Sequence, residues 1–458
     1  MFCDSLNDPD EKHPNVNICP VCMGHPGTLP VINREAVNKV IMAGLALNCK
    51  IAEDTFFERK NYFYPDLPKG YQISQYDRPM ASHGHLMIPT LEGPKRINIK
   101  RAHLEEDAGK LIHDDRTNAT LVDYNRTGTP LLEIVTEPDL RSPQEAYDYL
   151  TILKLTLQYL NVSDCDMEKG SLRCDANISI RSKGEAKLGI KTELKNMNSF
   201  RAVKTALEFE VNRQKQLVLA SERIVQETRL WDESKGITAS MRSKEEAHDY
   251  RYFPEPDLVP IVIETKTVEE IRVTLPELPD KKLNRFMEQY GLSQYDAQIL
   301  IQNQDVANFF EQCTQFSKET KKVGNWIIGP VLQELNARRV SITELPLKPK
   351  DIITLIKKLD GGTLNNLTAK EVLASVVATG KDIETIIVEK GLMQVSDENT
   401  LEKIVDEVIA ENAKVVEQIK QGKESAAGFL VGQAMKKSQG KGNPKKFGEI
   451  IKRRLQNG

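Results

Sequence analysis

The sequence predicts an α+β protein: a mixed α/β region with a β-sheet core, then an all-helical region and a small helical tail. Three observations carry that reading. Through roughly the first 275 residues, stretches with alternating apolar and polar residues are interleaved with helix-spaced ones. From about Pro276 only the helical spacing remains. A Gly361-Gly362 break, and a restart of the pattern after Ser396, then divide the second half, so boundaries are expected near 276 and 394. The 458 residues suit about three domains at roughly 150 residues each. With 40% hydrophobic and 28% charged residues, and no run of about 18 apolar residues, the composition is that of a globular chain without a membrane-spanning helix. The polar, acidic opening has no signal-peptide core. Seven scattered cysteines fit reduced thiols better than a disulfide framework.

In chain order, the opening is loop-like and holds Cys3, Cys19 and Cys22. Cys19-Pro-Val-Cys22 is the CxxC half of many zinc sites, but Ser5 stands where a CxC partner to Cys3 would stand. Zinc with His13 or His25 as a fourth ligand, and a metal-free loop of reduced thiols, are the two readings. Residues 33–48 have helical spacing through Val37, Val40, Ile41, Leu45 and Ala46. Residues 56–79 are dense in aromatics between Pro-bounded turns, which suits a β-rich surface that holds a ligand or a core hairpin with buried tyrosines. KRINIK (95–100) reads as a half-buried strand ending at Lys100 and delivering His103, Glu105, Glu106 and Asp107 just beyond it. Residues 121–122 and 131–135 are strand-like. Ser142, with Glu145 three residues on, reads as the capping box of a helix to about 160. EKGSLRCDANISIR (168–181) puts Asp175 in a strand-like context, 190–194 is a further strand containing Glu193, and Asn198 or Ser199 opens a helix to about 216.

In the second half, helices are expected over 305–316, 321–337, 350–359 and 370–378, the last opened by Thr368 and Glu371 as a capping box. Asn443-Pro444 reads as N-cap and first residue of the terminal helix. The chain's net charge is −3, yet residues 420–458 hold ten Lys/Arg against two Glu.

Several chemistries are absent. There is no GxxxxGK[ST] loop, no GxSxG elbow and no kinase HRD/DFG set. Arg173 could lower the pKa of Cys174, but no histidine pairs with that thiol in the sequence. What remains is a set of carboxylates near strand ends, Glu105, Glu106, Asp107, Asp175 and Glu193, together with His103. Three consecutive carboxylates repel one another, so folding alone gives no reason to gather them. A Mg²⁺ ion carrying phosphates does, because it takes one or two carboxylates and leaves its other positions to water and phosphate oxygens.

The segments HPGTLPVIN (25–33), RKNYFYPDLPKGYQISQ (59–75), HLEEDAGK (103–110), DYNRTGTPLLEIVTEPD (123–139), MEKGSLRCDANISI (167–180), ELKNMNSF (193–200), DYRYFPEPDLVP (249–260) and FLVGQAMKKSQGKGNP (429–444) are long and unusual. Through them the chain resembles, over essentially its whole length, the B subunits of the tRNA-dependent amidotransferases. The resemblance implies a cradle domain over 1–275, a helical domain over 276–394 and a helical, tRNA-binding tail over 395–458. It implies a glutamine-hydrolysing carbon–nitrogen ligase of the bacterial cytoplasm, with an organelle left open. Its partners would be a glutaminase A subunit and a small C subunit in a heterotrimer.

The implied reaction phosphorylates the side-chain carboxylate of misacylated Glu-tRNA(Gln) or Asp-tRNA(Asn) with ATP, and ammonia then displaces the phosphate. Carried over by motif, the Mg²⁺ carboxylates fall on Glu105, Glu106 and Asp175, with His103 beside them and Glu193 a further candidate for the ATP–Mg site. The tRNA contacts are expected at Lys436, Lys437, Lys441, Lys445, Lys446, Arg453 and Arg454. Two departures stand out. The family pattern has a strand with Glu-x-His ahead of the Met1-Phe2 position, and its members with a zinc knuckle carry a CxC followed by a CxxC, where this chain has Cys3 and Ser5. The missing strand leaves an alternative: a tRNA-binding scaffold that performs no phosphoryl transfer.

Overall fold

The structure, a computed structural model, describes all residues except 115, 244–249, 393–397, 421–426, 439–441 and 458, and the side chains of 242, 243, 398, 399, 420, 456 and 457 are also not described. The chain is α+β and divides into two compact units, Met1–Leu278 and Pro279–Gly458. The expected boundary near 394 and the start of the tail at Ser396 lie outside the described residues.

In the first unit, a four-stranded antiparallel sheet runs in the order Lys50–Ile51, Ala81–Thr90, Gly93–Glu106, Pro130–Thr136. The helix Pro143–Tyr159 packs on one face, and Phe200–Leu219 packs on that helix and against strands Ala176–Ile178 and Ile237–Ser243. Pro143–Tyr159 is capped by Ser142, whose hydroxyl accepts the Glu145 N–H, and Phe200–Leu219 is capped by Ser199. Their apolar sides, Leu150, Leu153, Leu157, Val203 and Ala206, pack with Ile97 and Ile99 of the sheet in one core. The capping box expected at Ser142 closes only halfway. The Glu145 carboxylate instead accepts the Arg141 N–H at 2.7 Å and pairs with Lys95 at 2.7 Å. A helix over Arg34–Ala46, capped by Asn33, buries Val40, Ile41 and Leu45 in a second core with Phe57, Ile73 and Leu104. A small sheet, Phe253–Pro254, Glu58–Asn61 and Tyr71–Ser74, lies beside it. A further four-stranded sheet joins Ala176–Ile178, Thr192–Lys195, Glu227–Asp232 and Ile237–Ser243.

The strand expected over 95–100 is far longer, Gly93–Glu106, and the acidic residues lie inside it rather than beyond it. The reason is a bulge. Ile99 pairs with Thr136 and Arg101 with Val135, so Lys100 is an extra residue. The alternation changes phase there: Ile97 and Ile99 before it, and Ala102 and Leu104 after it, are all buried. A strict period of 2 would have put Arg101, His103 and Glu105 on the side of Ile97 and Ile99.

The second unit is helical. One core runs from Phe286 to Leu392 and a separate one from Leu401 to Ile451. The helix expected over 321–337 is interrupted. Thr320–Trp326 passes through a π-helical turn, Ile327–Val331, before Leu332–Arg338, and Pro330 sits in that turn. Proline cannot donate the interior helical hydrogen bond, and the widened turn accommodates it without ending the helix. The helix expected from 370 starts earlier, at Asn366, with Asn365 as its cap and Thr368 in its first turn, so Thr368 and Glu371 are not its capping box. Pro444–Asn457 begins as expected, with the Asn443 side chain accepting the Lys445 and Lys446 N–H groups.

Candidate functional site

Antiparallel pairing sets His103 directly opposite Glu133. After the bulge at Lys100, the residues of Gly93–Glu106 that share that face are Arg101, His103 and Glu105. His103, Glu105 and Glu133 present one nitrogen and two carboxylate oxygens within 4.8 Å of one another. The His103 Nε2 atom is 3.7 Å from Glu105, and the Ser74 hydroxyl donates to Glu105 at 2.9 Å. Burial opposes the charge on Glu105, but His103, Lys60 and Ser74 outweigh it and hold the carboxyl below its ordinary pKa. His103 is only 2% exposed, and its Nδ1 finds no hydrogen-bond partner among the described residues. A buried histidine with Nε2 turned to a carboxylate and Nδ1 without a partner fits a cation or a polar ligand better than a finished core.

Tyrosines wall the cluster. Tyr76 and Tyr252 stack with centroids 4.5 Å apart, and Tyr62 and Tyr250 meet edge to face at 6.0 Å. Burial, together with the charge of Glu105, raises the phenol pKa of both Tyr62 and Tyr252. The Lys60 ammonium lies 5.0 Å from the Tyr250 ring centroid.

The other predicted residues lie elsewhere. Glu106 follows Glu105 in the strand and points to the opposite face. There it pairs with Lys69 at 2.5 Å and accepts the Ile73 N–H at 2.8 Å, in a buried setting lined by Phe2, Cys22 and Tyr71. Asp107 is the hub of an ion-pair set with Arg126 at 3.1 Å and Arg173 at 2.7 Å. Arg173 is thus engaged, and burial pushes the Cys174 thiol up to about 12, the reverse of the activated thiolate considered from sequence. Asp175 precedes its strand and pairs with Lys195 at 2.6 Å; Glu193, on the neighbouring strand, accepts from Thr228 at 2.8 Å. Neither joins the His103 cluster. Glu133 was missed. Its signal was present, a single carboxylate inside the apolar run Leu131–Leu132–Glu133–Ile134–Val135.

The sulfurs of Cys3, Cys19 and Cys22 lie within 4.8 Å of one another. Burial works against the Cys19 thiolate, but hydrogen bonds from Ser5, Cys22 and Val21 bring its pKa down to about 7. Ser5 Oγ is 3.9 Å from the Cys22 sulfur, and His13 is turned to Glu11 at 2.9 Å. Three close sulfurs with one lowered thiol fit a thiolate-bound zinc.

In the tail, Lys437 pairs with Glu407 and Glu411, Arg453 with Glu402, and Arg454 with Glu402 and Asp406. Lys436, Lys445 and Lys446 are exposed, and Lys441 lies outside the described residues. Among the described residues no helix is long and apolar enough to cross a membrane.

Residues 1–269 match the family described as the GatB/GatE catalytic domain, and 308–455 match the GatB domain. Curated relatives, each named as the B subunit of an aspartyl/glutamyl-tRNA(Asn/Gln) amidotransferase, are similar over nearly the full length. That of Carboxydothermus hydrogenoformans is 54% identical over 96% of this chain and 92% of its own. That of Thermoanaerobacter pseudethanolicus is 53% identical over 99% and 95%, and that of Caldicellulosiruptor saccharolyticus 51% over 100% and 95%. The chain belongs to this GatB/GatE family of amidotransferase B subunits.

Proposed function

We propose that the chain phosphorylates, with ATP, the side-chain carboxylate of misacylated Glu-tRNA(Gln), Asp-tRNA(Asn) or both, so that ammonia from a glutaminase A subunit can replace the phosphate. It would act in the bacterial cytoplasm as part of a heterotrimer with that glutaminase and a small C subunit. The supporting observation is the cluster of Glu105 and Glu133 with the orphaned His103 on one sheet face. Carboxylate oxygens suit Mg²⁺, which would neutralise charge on a transferring phosphate. Glu105 and Glu133 would hold it, with His103 orienting Glu105. Phosphoryl transfer asks for little covalent chemistry from the protein, and the chain has no nucleophile motif to supply it.

Three secondary assignments belong to the same reading. The nucleotide would reach toward Asp175 and Glu193. The cysteine cluster would hold a structural zinc. Residues 395–458 would be the tRNA-binding tail, with Lys436, Lys445 and Lys446 presented to the RNA and the remaining basic residues of the predicted set supporting them.

The test is amidation of Glu-tRNA(Gln) by the purified chain with its partner subunits, glutamine and ATP. ADP release that depends on misacylated tRNA, with Gln-tRNA as product, is expected. Tight binding of tRNA without tRNA-dependent ADP release would leave only a scaffold.

A further inference from the structure

Arg101 stands on the same sheet face as His103 and Glu105, two residues before His103 along the strand. Its surroundings engage it only loosely. The guanidinium comes only to 3.8 Å from Glu133, beyond ordinary hydrogen-bond reach, and its Nε–H is buried with no acceptor among the described residues. Its carbon lies 5.7 Å from the centroid of the Tyr76 ring, which stacks on Tyr252. The side chain is a quarter exposed and Tyr76 about half exposed, so the place is open to solvent.

A buried, unpaired guanidinium N–H costs free energy, and proteins leave few such groups unsatisfied. Here two orphaned nitrogens, Arg101 Nε and His103 Nδ1, belong to residues of one sheet face beside two carboxylates. The Tyr76 ring lies within cation–π reach of the guanidinium without supplying an acceptor. A planar guanidinium fork recognises a carboxylate or a phosphate in bidentate fashion.

We propose that Arg101, beside the Tyr76 ring, is the oxyanion-binding residue of this site, receiving a substrate carboxylate or phosphate beside Glu105 and Glu133. The assignment rests on the functional reading above, which offers two sources of that oxyanion: the γ-phosphate of ATP and the side-chain carboxylate of the aminoacyl group.

Arg101→Gln and Arg101→Lys, each assembled with the partner subunits, separate the sources. One arm measures ATP–Mg²⁺ binding by calorimetry without tRNA; the other measures KM for Glu-tRNA(Gln) at saturating ATP. Loss of a charge-assisted pair should weaken one of them roughly 10- to 100-fold in Arg101→Gln. A loss in the first arm identifies the phosphate, and in the second the carboxylate; losses in both mean that the two share the fork. Wild-type values in both arms overturn the proposal. If Arg101→Gln lowers the unfolding temperature, Arg101→Lys decides, since it keeps stem and charge but not the fork. Intermediate affinity then supports the assignment and wild-type affinity sinks it. A wild-type complex that fails to amidate tRNA would count against the functional reading alone. In that case protection of Arg101 from phenylglyoxal by inorganic phosphate, followed by peptide mass spectrometry, gives the answer, and unprotected Arg101 overturns the proposal.

Discussion

Glu105 and Glu106 are neighbours in sequence and strangers in chemistry. Glu105 shares its face with His103 and Glu133, whereas Glu106 is closed into an ion pair with Lys69 on the other side. Their substitutions should therefore fail differently. Glu106→Gln strands the Lys69 ammonium, whose side chain is 9% exposed, and breaking a buried pair from one side costs about 3–5 kcal/mol. Urea unfolding should show that loss directly. Glu133→Gln, at a side chain 40% exposed, should leave unfolding within about 0.5 kcal/mol of wild type. It should instead lower tRNA-dependent ADP release by on the order of 10²-fold, as removal of a charge-stabilising group does elsewhere. A Glu133→Gln enzyme at wild-type rate would remove Glu133 from the site. The cysteine cluster permits a cheaper check. Protein purified without chelator should carry close to one zinc per chain, and Cys22→Ser should abolish it. A stoichiometry near zero in the wild type would leave three ordinary thiols.

Among the elements, the strand Gly93–Glu106 shows what a sequence can and cannot reveal. KRINIK was legible because Ile97 and Ile99 alternate with polar residues. From sequence the strand stops at Lys100 because the alternation changes phase there, and that phase change is itself the bulge. The acidic stretch was legible as chemistry, but its division between two faces follows from the pairing register, which local sequence does not state. Asp175 groups with it by motif alone; the fold gives it to a different sheet. The caps at Ser142, Ser199 and Asn443 were readable because they are local, while the π-turn at Pro330 was not, because the helical spacing runs unbroken through the proline. The bulge makes a sharp prediction. Lys100→Ala should change stability by no more than about 0.5 kcal/mol, since the side chain is exposed. Deleting Lys100 removes the extra residue and leaves a strict period that keeps Arg101, His103 and Glu105 on the face away from Ile99. ATP binding should therefore survive that deletion, as read by calorimetry, with any cost confined to the melting temperature. A deletion variant that stays folded but loses ATP binding would mean that the bulge itself, and not the alternation, aims these side chains.

For the molecule as a whole, the decisive property is where its positive charge is exposed. The surplus of eight in residues 420–458 depends on the window, because residues 395–458 hold twelve Lys/Arg against nine Asp/Glu. The structure shows where the acids go. Glu402, Asp406, Glu407 and Glu411 lie on the helix Glu398–Glu411, and they take up Lys437, Arg453 and Arg454. Those three cations tie the tail's own helices together, whereas Lys436, in the last turn of Ala427–Lys437, and Lys445, in the first turn of Pro444–Asn457, stand exposed. Double-stranded RNA is bound largely through backbone and shape, so exposed lysines suffice to hold it without a base code. Each phosphate neutralised contributes about 0.7–0.9 to the slope of log K against log salt. Replacing Lys436 and Lys445 by alanine should thus flatten the slope for tRNA binding by roughly 1.5 while leaving the melting of the tail unchanged. Replacing Lys437, Arg453 and Arg454 should do the converse: lower the melting temperature, with little change in slope. Filter binding across a salt series, alongside calorimetric melting, reads both. If the second set flattens the slope as much as the first, the ion pairs open on binding and those three cations contact the RNA themselves. If neither set changes it, the polyanion is held by another part of the chain.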